Sequence, residues 1–168
     1  FAVNFEFNIL DFKEDGVNSF VNNKFINPNK LGNLYEISLL HLTLPNRVIK
    51  TGPGGLIANQ PFLFVELYSE SYNNRQLYNT NNPKLENVLF KCIVKDLCHP
   101  NTSPFVKLDA SYSIITNFKL DESIYFRVLM RNGEDFTTST LDNPPPNIPN
   151  KLLQISAIFE LREILDKK

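Results

Sequence analysis

The sequence has few of the residues that build metal centres, disulfide frameworks and sugar-binding platforms. Its 168 residues include no tryptophan, two cysteines and two histidines. A barrel metal site that uses several histidines cannot be assembled from two. Two cysteines close together in one segment form no disulfide framework and favour folding in a reducing compartment. Sugar-binding modules usually stack their ligands on Trp or Tyr, so the absence of tryptophan weighs against such a module.

Long apolar runs and concentrated charge are also missing. No apolar stretch approaches the roughly 18 residues that a membrane-spanning helix needs, so we expect no membrane span. Lysine and arginine number 17 against 18 aspartates and glutamates, which gives a net charge of −1. The basic residues are scattered and form no block or stripe, and nucleic acid is therefore not an expected partner.

What the sequence does contain is repeated alternation of apolar and polar residues, bounded by Gly, Pro, Asn and Asp clusters. Alternation with a period of two is typical of half-buried β-strands. Eight segments have this character: 1–8, 34–44, 61–70, 88–94, 105–108, 112–118, 124–130 and 152–161. They predict an all-β protein, an antiparallel sandwich of the jelly-roll or a related Greek-key type. The length favours one domain over 1–168, with a charged C-terminal tail at about 162–168.

The alternation also predicts which side chains form the core and where the chain turns. Asn132-Gly133 is the strongest short hairpin signal in the sequence. The four prolines of 143–150 cannot supply strand hydrogen-bond donors and predict a stiff crossing loop. The predicted core residues are Phe5, Phe7, Ile37, Leu39, Val65, Phe90, Val94, Phe126, Ile155 and Phe159.

The residues that could carry chemistry do not form a recognisable catalytic or metal-binding pattern. Cys92, Cys98 and His99 match no common zinc-ligand spacing. Strand periodicity predicts that Cys92 is an inert, buried thiol. His41 lies inside an apolar strand, as expected for a hydrogen-bonded histidine in the core or at an interface. The glycine-rich stretch 52–55 lacks the Lys-Ser/Thr of a phosphate-binding loop and predicts a turn.

Carboxylates are the remaining candidates for catalysis. Asp121, Glu122, Glu134 and Asp135 flank the ends of predicted hairpins, where solvated charge is the usual case. A sandwich glycosidase would need two of them to converge in a cleft. We therefore expect no enzyme, no metal and no cofactor, with a glycosidase and a lectin-like carbohydrate-binding sandwich as the alternatives.

Several short segments occur together in a familiar order. They are LHLTLPN at 40–46, Gly54-Gly55, PFLFVE at 61–66, YNTNNP at 78–83, SPFVKL at 103–108, RNGEDF at 131–136 and Pro149-Asn150 before LQISAIF at 153–159. In order and content, they resemble the single jelly-roll capsid proteins of virophages and large eukaryotic double-stranded DNA viruses. The resemblance is closest to the penton protein at the five-fold vertices and covers about residues 1–161. The related major capsid proteins carry two jelly rolls, for which 168 residues are too few.

The resemblance implies a structural role in an icosahedral virion. It implies an eight-stranded jelly roll, folded in the host cell cytoplasm, that forms a homopentamer at the capsid vertex beside the major capsid protein. Another minor capsid jelly-roll protein and a lectin-like module remain alternatives. Because prolines restrict the backbone in advance, ordering a proline-rich loop against a neighbour costs less entropy. The candidate contact loop between subunits is Asn143, Pro144, Pro145, Pro146 and Asn147.

Overall fold

The described part of the chain is built from antiparallel strands. The computed structural model describes residues 2–8, 18–21, 34–49, 55–72, 80–95, 104–120, 122–136, 147 and 150–164. The strands are β1 (Ala2–Asn8), β2 (Asn18–Val21), β3 (Leu34–Pro45), β4 (Leu63–Ser69), β5 (Val88–Lys95), β6 (Phe105–Asp109), β7 (Ile114–Asn117), β8 (Ser123–Leu129) and β9 (Ser156–Glu163). None of the helices among these residues has the length and hydropathy needed to cross a bilayer.

The strands form two sheets that share β5. One sheet runs β1-β9-β3 and continues with β6 and β7, which pair with different halves of β3. The other runs β2-β8-β4-β5. β5 pairs with β4 up to Cys92 and with β6 from Ile93 onward, so it closes one corner of the sandwich. With β6 and β7 occupying a single position, eight strand positions lie in two sheets. This arrangement confirms the predicted jelly-roll sandwich.

β3 departs from strict alternation at a β-bulge. Leu39 pairs with Phe159 and His41 pairs with the next residue of β9, Ile158, so Leu40 is the extra residue. A bulge shifts the inward and outward positions of the strand by one. Leu39 and Leu42 therefore both face the core, while Leu40 and His41 are both exposed. Of the two positions expected for His41, the core is wrong, because unbroken alternation would have placed it on the same face as Leu39. A position at an interface stays a prediction.

The observed strands differ from the predicted ones at several places. β2 was not predicted, because four residues with no alternation carry no strand signal. β9 begins later than predicted, since Lys151–Leu153 form a 3-10 turn in which the Asn150 side chain accepts a hydrogen bond from the Leu152 amide at 3.1 Å. β9 also continues to Glu163, two residues into the predicted tail, whereas 165–168 lie outside the described residues.

The core is centred on packed phenylalanines from both sheets. The Phe7 ring stacks on Phe126 with a centroid distance of 5.1 Å and meets the edge of Phe159 at 5.8 Å. Such aromatic pairs contribute about 0.5–1.5 kcal/mol beyond the area they bury. The predicted core residues that are buried are Phe7, Ile37, Leu39, Val65, Phe90, Phe126 and Phe159. Val94 and Ile155 are partly buried against the core, and the side chain of Phe5 lies outside the described residues.

The predicted turn at Asn132-Gly133 is confirmed. The Met130 amide donates to the Glu134 carbonyl at 2.7 Å, and the Phe136 amide donates to the Val128 carbonyl at 2.9 Å. Gly133 has φ +91°, which favours glycine. A Cβ there would also lie 2.9 Å from the Lys84 Cβ. Glycine is therefore required at this position both by the backbone conformation and by the close approach of Lys84.

Candidate functional site

The predicted contact loop lies almost wholly outside the described residues. Of its five residues only Asn147 is described, as an exposed bend. The contact role of Asn143, Pro144, Pro145 and Pro146 therefore stays a prediction.

The candidate metal and thiol residues are only partly described. Cys98 and His99 lie outside the described residues, whereas Cys92 is fully buried on β5. Burial, together with the charge of Asp109, raises the pKa of the Cys92 thiol to about 12. A thiol is reactive as the thiolate, so Cys92 is the inert, buried residue that its periodicity predicts. Within the described ranges, no group of three or more His, Cys, Asp or Glu could hold a metal ion.

Glu122 caps a turn at one end of the sandwich. Its carboxylate accepts hydrogen bonds from the Ser71 amide at 2.6 Å and from the Ser71 hydroxyl at 2.5 Å. Partial burial raises the pKa of Glu122, but the hydrogen bonds from Ser71 and Ser69 outweigh burial, so the net shift is downward. These bonds fix the 3-10 turn Glu70–Tyr72 to the start of β8. Asp121 lies outside the described residues.

The most unusual electrostatic group lies on the outer face of the β4–β8 pair, where one arginine stands between two carboxyl groups. Glu66 and Arg127 are direct cross-strand neighbours. The Arg127 Nη2 and Nε atoms donate to Asp135 Oδ1 at 2.6 and 2.9 Å, while Nη1 lies 3.6 Å from Glu66 Oε2. The hydrogen-bonded partner of Arg127 is thus the exposed Asp135, and Glu66 lies beyond hydrogen-bonding distance.

Apolar packing on this outer face controls the charge of Glu66. Phe64, Leu85, Val88 and Leu129 form a second hydrophobic cluster beside it, and Glu66 retains only 4% of its exposure. Burial raises the pKa of Glu66 from 4.5 to about 7; Arg127 lowers it in part, and the carboxyl groups of Asp135 and Glu86 raise it further. Glu66 therefore exchanges its proton close to neutral pH.

The sequence pattern does not reveal this group. Its one local signal is a carboxylate inside the apolar run PFLFVE, and alternation correctly places Glu66 on the same face as Phe64. Alternation identifies that face as outward but does not indicate that the segment before β5 covers it. The geometry supports a structural role for Arg127, whose hydrogen bonds to Asp135 connect β8 to the turn that follows it.

The Tyr112 side chain hydrogen-bonds to the backbone of β5 near the point where this strand changes its partner from β4 to β6. The Lys91 amide donates to the Tyr112 hydroxyl at 2.9 Å, and that hydroxyl donates to the Leu89 carbonyl at 3.1 Å. Both backbone groups lie on the side of β5 that faces away from β4. An open strand edge is a template for pairing with other chains. Tyr112 therefore takes the place of a neighbouring strand along this part of β5.

Comparisons with known proteins point to a viral relative. The chain is 28% identical over 136 residues to "Uncharacterized protein 198R" of Invertebrate iridescent virus 6. The match covers 80% of this chain and 28% of the relative, so the chain spans little more than a quarter of the relative's length. No family model matches the chain. No solved structure matches it.

Proposed function

We propose that this chain is a structural protein of an icosahedral virus particle and forms homopentamers at the five-fold vertices. The observation that carries this proposal is the strand order, β1-β9-β3-β6/β7 in one sheet and β2-β8-β4-β5 in the other. Jelly rolls of this type recur in viral capsids. The similarity to an iridescent virus protein supports the viral setting.

The physical design of the sandwich suits a ring of identical subunits. A closed ring needs a heterologous contact, in which one flank of each subunit meets the opposite flank of the next. The sheets hold the two flanks rigidly apart, while the connecting loops can adapt to neighbours such as the major capsid protein. The role needs no catalytic residue, and we propose none.

The lectin-like alternative would require exposed aromatic rings. Among the aromatic side chains that the structure describes, only Tyr112 is exposed, at 39%. Its hydroxyl group is occupied by the backbone of β5. No observation therefore favours a sugar-binding platform over an assembly role.

The proposal is tested by quantifying the chain in gradient-purified particles of the virus that encodes it, using mass spectrometry with isotope-labelled peptides. We expect it to co-purify at a constant, low ratio to the major capsid protein, as a vertex component should. A non-structural protein of the same virus is the control and should be washed away. Absence of the chain from the particles, or a ratio that varies between preparations, would contradict the proposal.

A further inference from the structure

The corner of the sandwich at β5 and β6 presents an exposed apolar side chain among lysines. Along β5, Phe90 and Cys92 point into the core, so Lys91, Ile93 and Lys95 point outward. Ile93 is 57% exposed. A single exposed isoleucine is ordinary. Here Lys91 and Lys95 lie on either side of Ile93 on the same face of the strand, so Ile93 lies in a positively charged surface.

Among the residues that the structure describes, the charges at this corner are poorly matched. Lys95 of β5 and Lys107 of β6 are direct cross-strand neighbours, and like charges in this position are destabilising. The carboxylate of Asp109 lies 3.5 Å from the Lys95 ammonium group. Both side chains are well exposed, at 62% and 43%, so this ion pair contributes little. A carboxylate supplied from outside would relieve the repulsion between the two lysines.

Among the described residues, the other end of the same outer face carries the opposite charge. β1 is separated from β5 by β9, β3 and β6, or about 19 Å at the usual strand spacing. Glu6 is exposed on the outer face of β1 and is paired in register with the half-buried Ile158. Glu160 and Glu36 lie on the same face, accompanied by Arg162, whose guanidinium group is 3.2 Å from Glu160. Among the described outward-facing residues, glutamates outnumber arginine at this end of the sheet, and lysines outnumber aspartate at the β5–β6 corner.

We infer that the β5–β6 corner of one subunit binds the β1–β9 flank of a second copy of this chain, with Lys95 and Lys107 facing the carboxylates and Ile93 packing beside Ile158. Three features favour a second copy: the complementary charge, the apolar residue on each surface, and the position of the two surfaces at opposite ends of one sheet. The inference rests on the proposed function and names two surfaces through which its subunits would meet.

Charge reversal tests the pairing, with assembly measured by sedimentation across a concentration series at low and high salt. Lys107→Glu places a carboxylate opposite Lys95, so it should preserve or raise the stability of the subunit. We expect it nevertheless to weaken self-association about tenfold or more, because it faces the glutamates of the neighbour. Glu6→Lys should weaken association similarly, and the double variant should largely restore it.

The control is Lys84→Glu, which reverses one exposed lysine in the loop before β5. It should leave self-association unchanged, while added salt should weaken the wild-type contact. Wild-type association that is unaffected by Lys107→Glu and Glu6→Lys would overturn the pairing and leave the proposed function intact. A loss caused by Lys107→Glu alone would also overturn the pairing, because the corner would then face an acidic surface of the second copy other than the one that carries Glu6.

A wild-type chain that stays monomeric at every concentration would also overturn the pairing. The proposed function is judged separately, by the presence of the chain in purified particles. The two failures are therefore distinguishable.

Discussion

Glu66 shows how the environment of one residue sets its charge. A glutamate on the outer face of a strand is normally solvated and ionised, but the apolar cluster around Phe64 removes Glu66 from water. Its neighbour Arg127 forms its hydrogen bonds with Asp135. The ionised carboxylate is consequently less stable in the folded protein than in the unfolded chain.

This difference predicts a pH-dependent contribution to stability. Because the folded pKa of Glu66, about 7, lies above the ordinary value of 4.5, the unfolded chain loses its proton first as pH rises. The contribution of Glu66 to the free energy of unfolding is therefore full below pH 4.5, falls between about 4.5 and 7, and is constant above. Glu66→Gln removes this loss, so its stability relative to wild type should increase over the same window.

Urea unfolding at a series of pH values measures this difference. The control is Glu70→Gln, which changes an exposed glutamate directly after β4. The stability of this variant relative to wild type should show no such rise. A Glu66→Gln difference that is flat or decreases with pH would contradict burial as the dominant cause.

Tyr112 offers a second prediction for a single side chain. Tyr112→Phe keeps the ring but leaves the Lys91 amide and the Leu89 carbonyl without their partner. We expect a loss of about 1–3 kcal/mol in the free energy of unfolding and faster hydrogen exchange at the Lys91 amide. Tyr125→Phe is the matched control, because it removes a hydroxyl from a ring stacked on the outer face. Equal effects of the two variants would rule out the edge-covering role of Tyr112.

At the scale of the elements, alternation predicted the long strands and missed features that depend on their neighbours. β4, β5 and β8 lie close to the predicted positions. Regular alternation fails in β5, where a bulge at Leu89 puts Val88 in the outer cluster and both Leu89 and Phe90 in the core. The bulge at Leu40 is fixed by pairing with β9, which is distant in sequence. β2 is a four-residue edge strand whose partner is β8, so its formation depends on tertiary pairing rather than on its own pattern. Local sequence contains neither constraint.

The packing of the two sheets predicts the cost of removing a core ring. Phe159 of β9 is fully buried against Phe7, Phe90 and Phe126. Phe159→Ala should lower the free energy of unfolding by about 3–5 kcal/mol through lost burial and the cavity that remains. Ile115→Ala, at a side chain that is 59% exposed, should change stability by less than about 0.5 kcal/mol. A loss below about 1 kcal/mol for Phe159→Ala in denaturant melts would refute this account of the core.

At the scale of the whole molecule, the sequence predicted the jelly roll but not the pairs of charged residues on its outer faces. Strand number and connection lengths favoured a jelly-roll or related sandwich. The pairing that joins Lys95 to Lys107, or Glu66 to Arg127, depends on strand order and register, which alternation does not specify. The proline-rich loop at 143–146 lies outside the described residues, so its place in a ring remains a prediction.

We propose that the sandwich forms the five-fold vertex of a virus particle, and a cryo-electron microscopy reconstruction of that particle tests this most directly. We expect five copies of this jelly roll around each five-fold axis, with the β5–β6 corner of one copy against the β1–β9 flank of the next. Vertex density that fits another fold, or density for this chain in trimers or in the genome-containing interior, would contradict it.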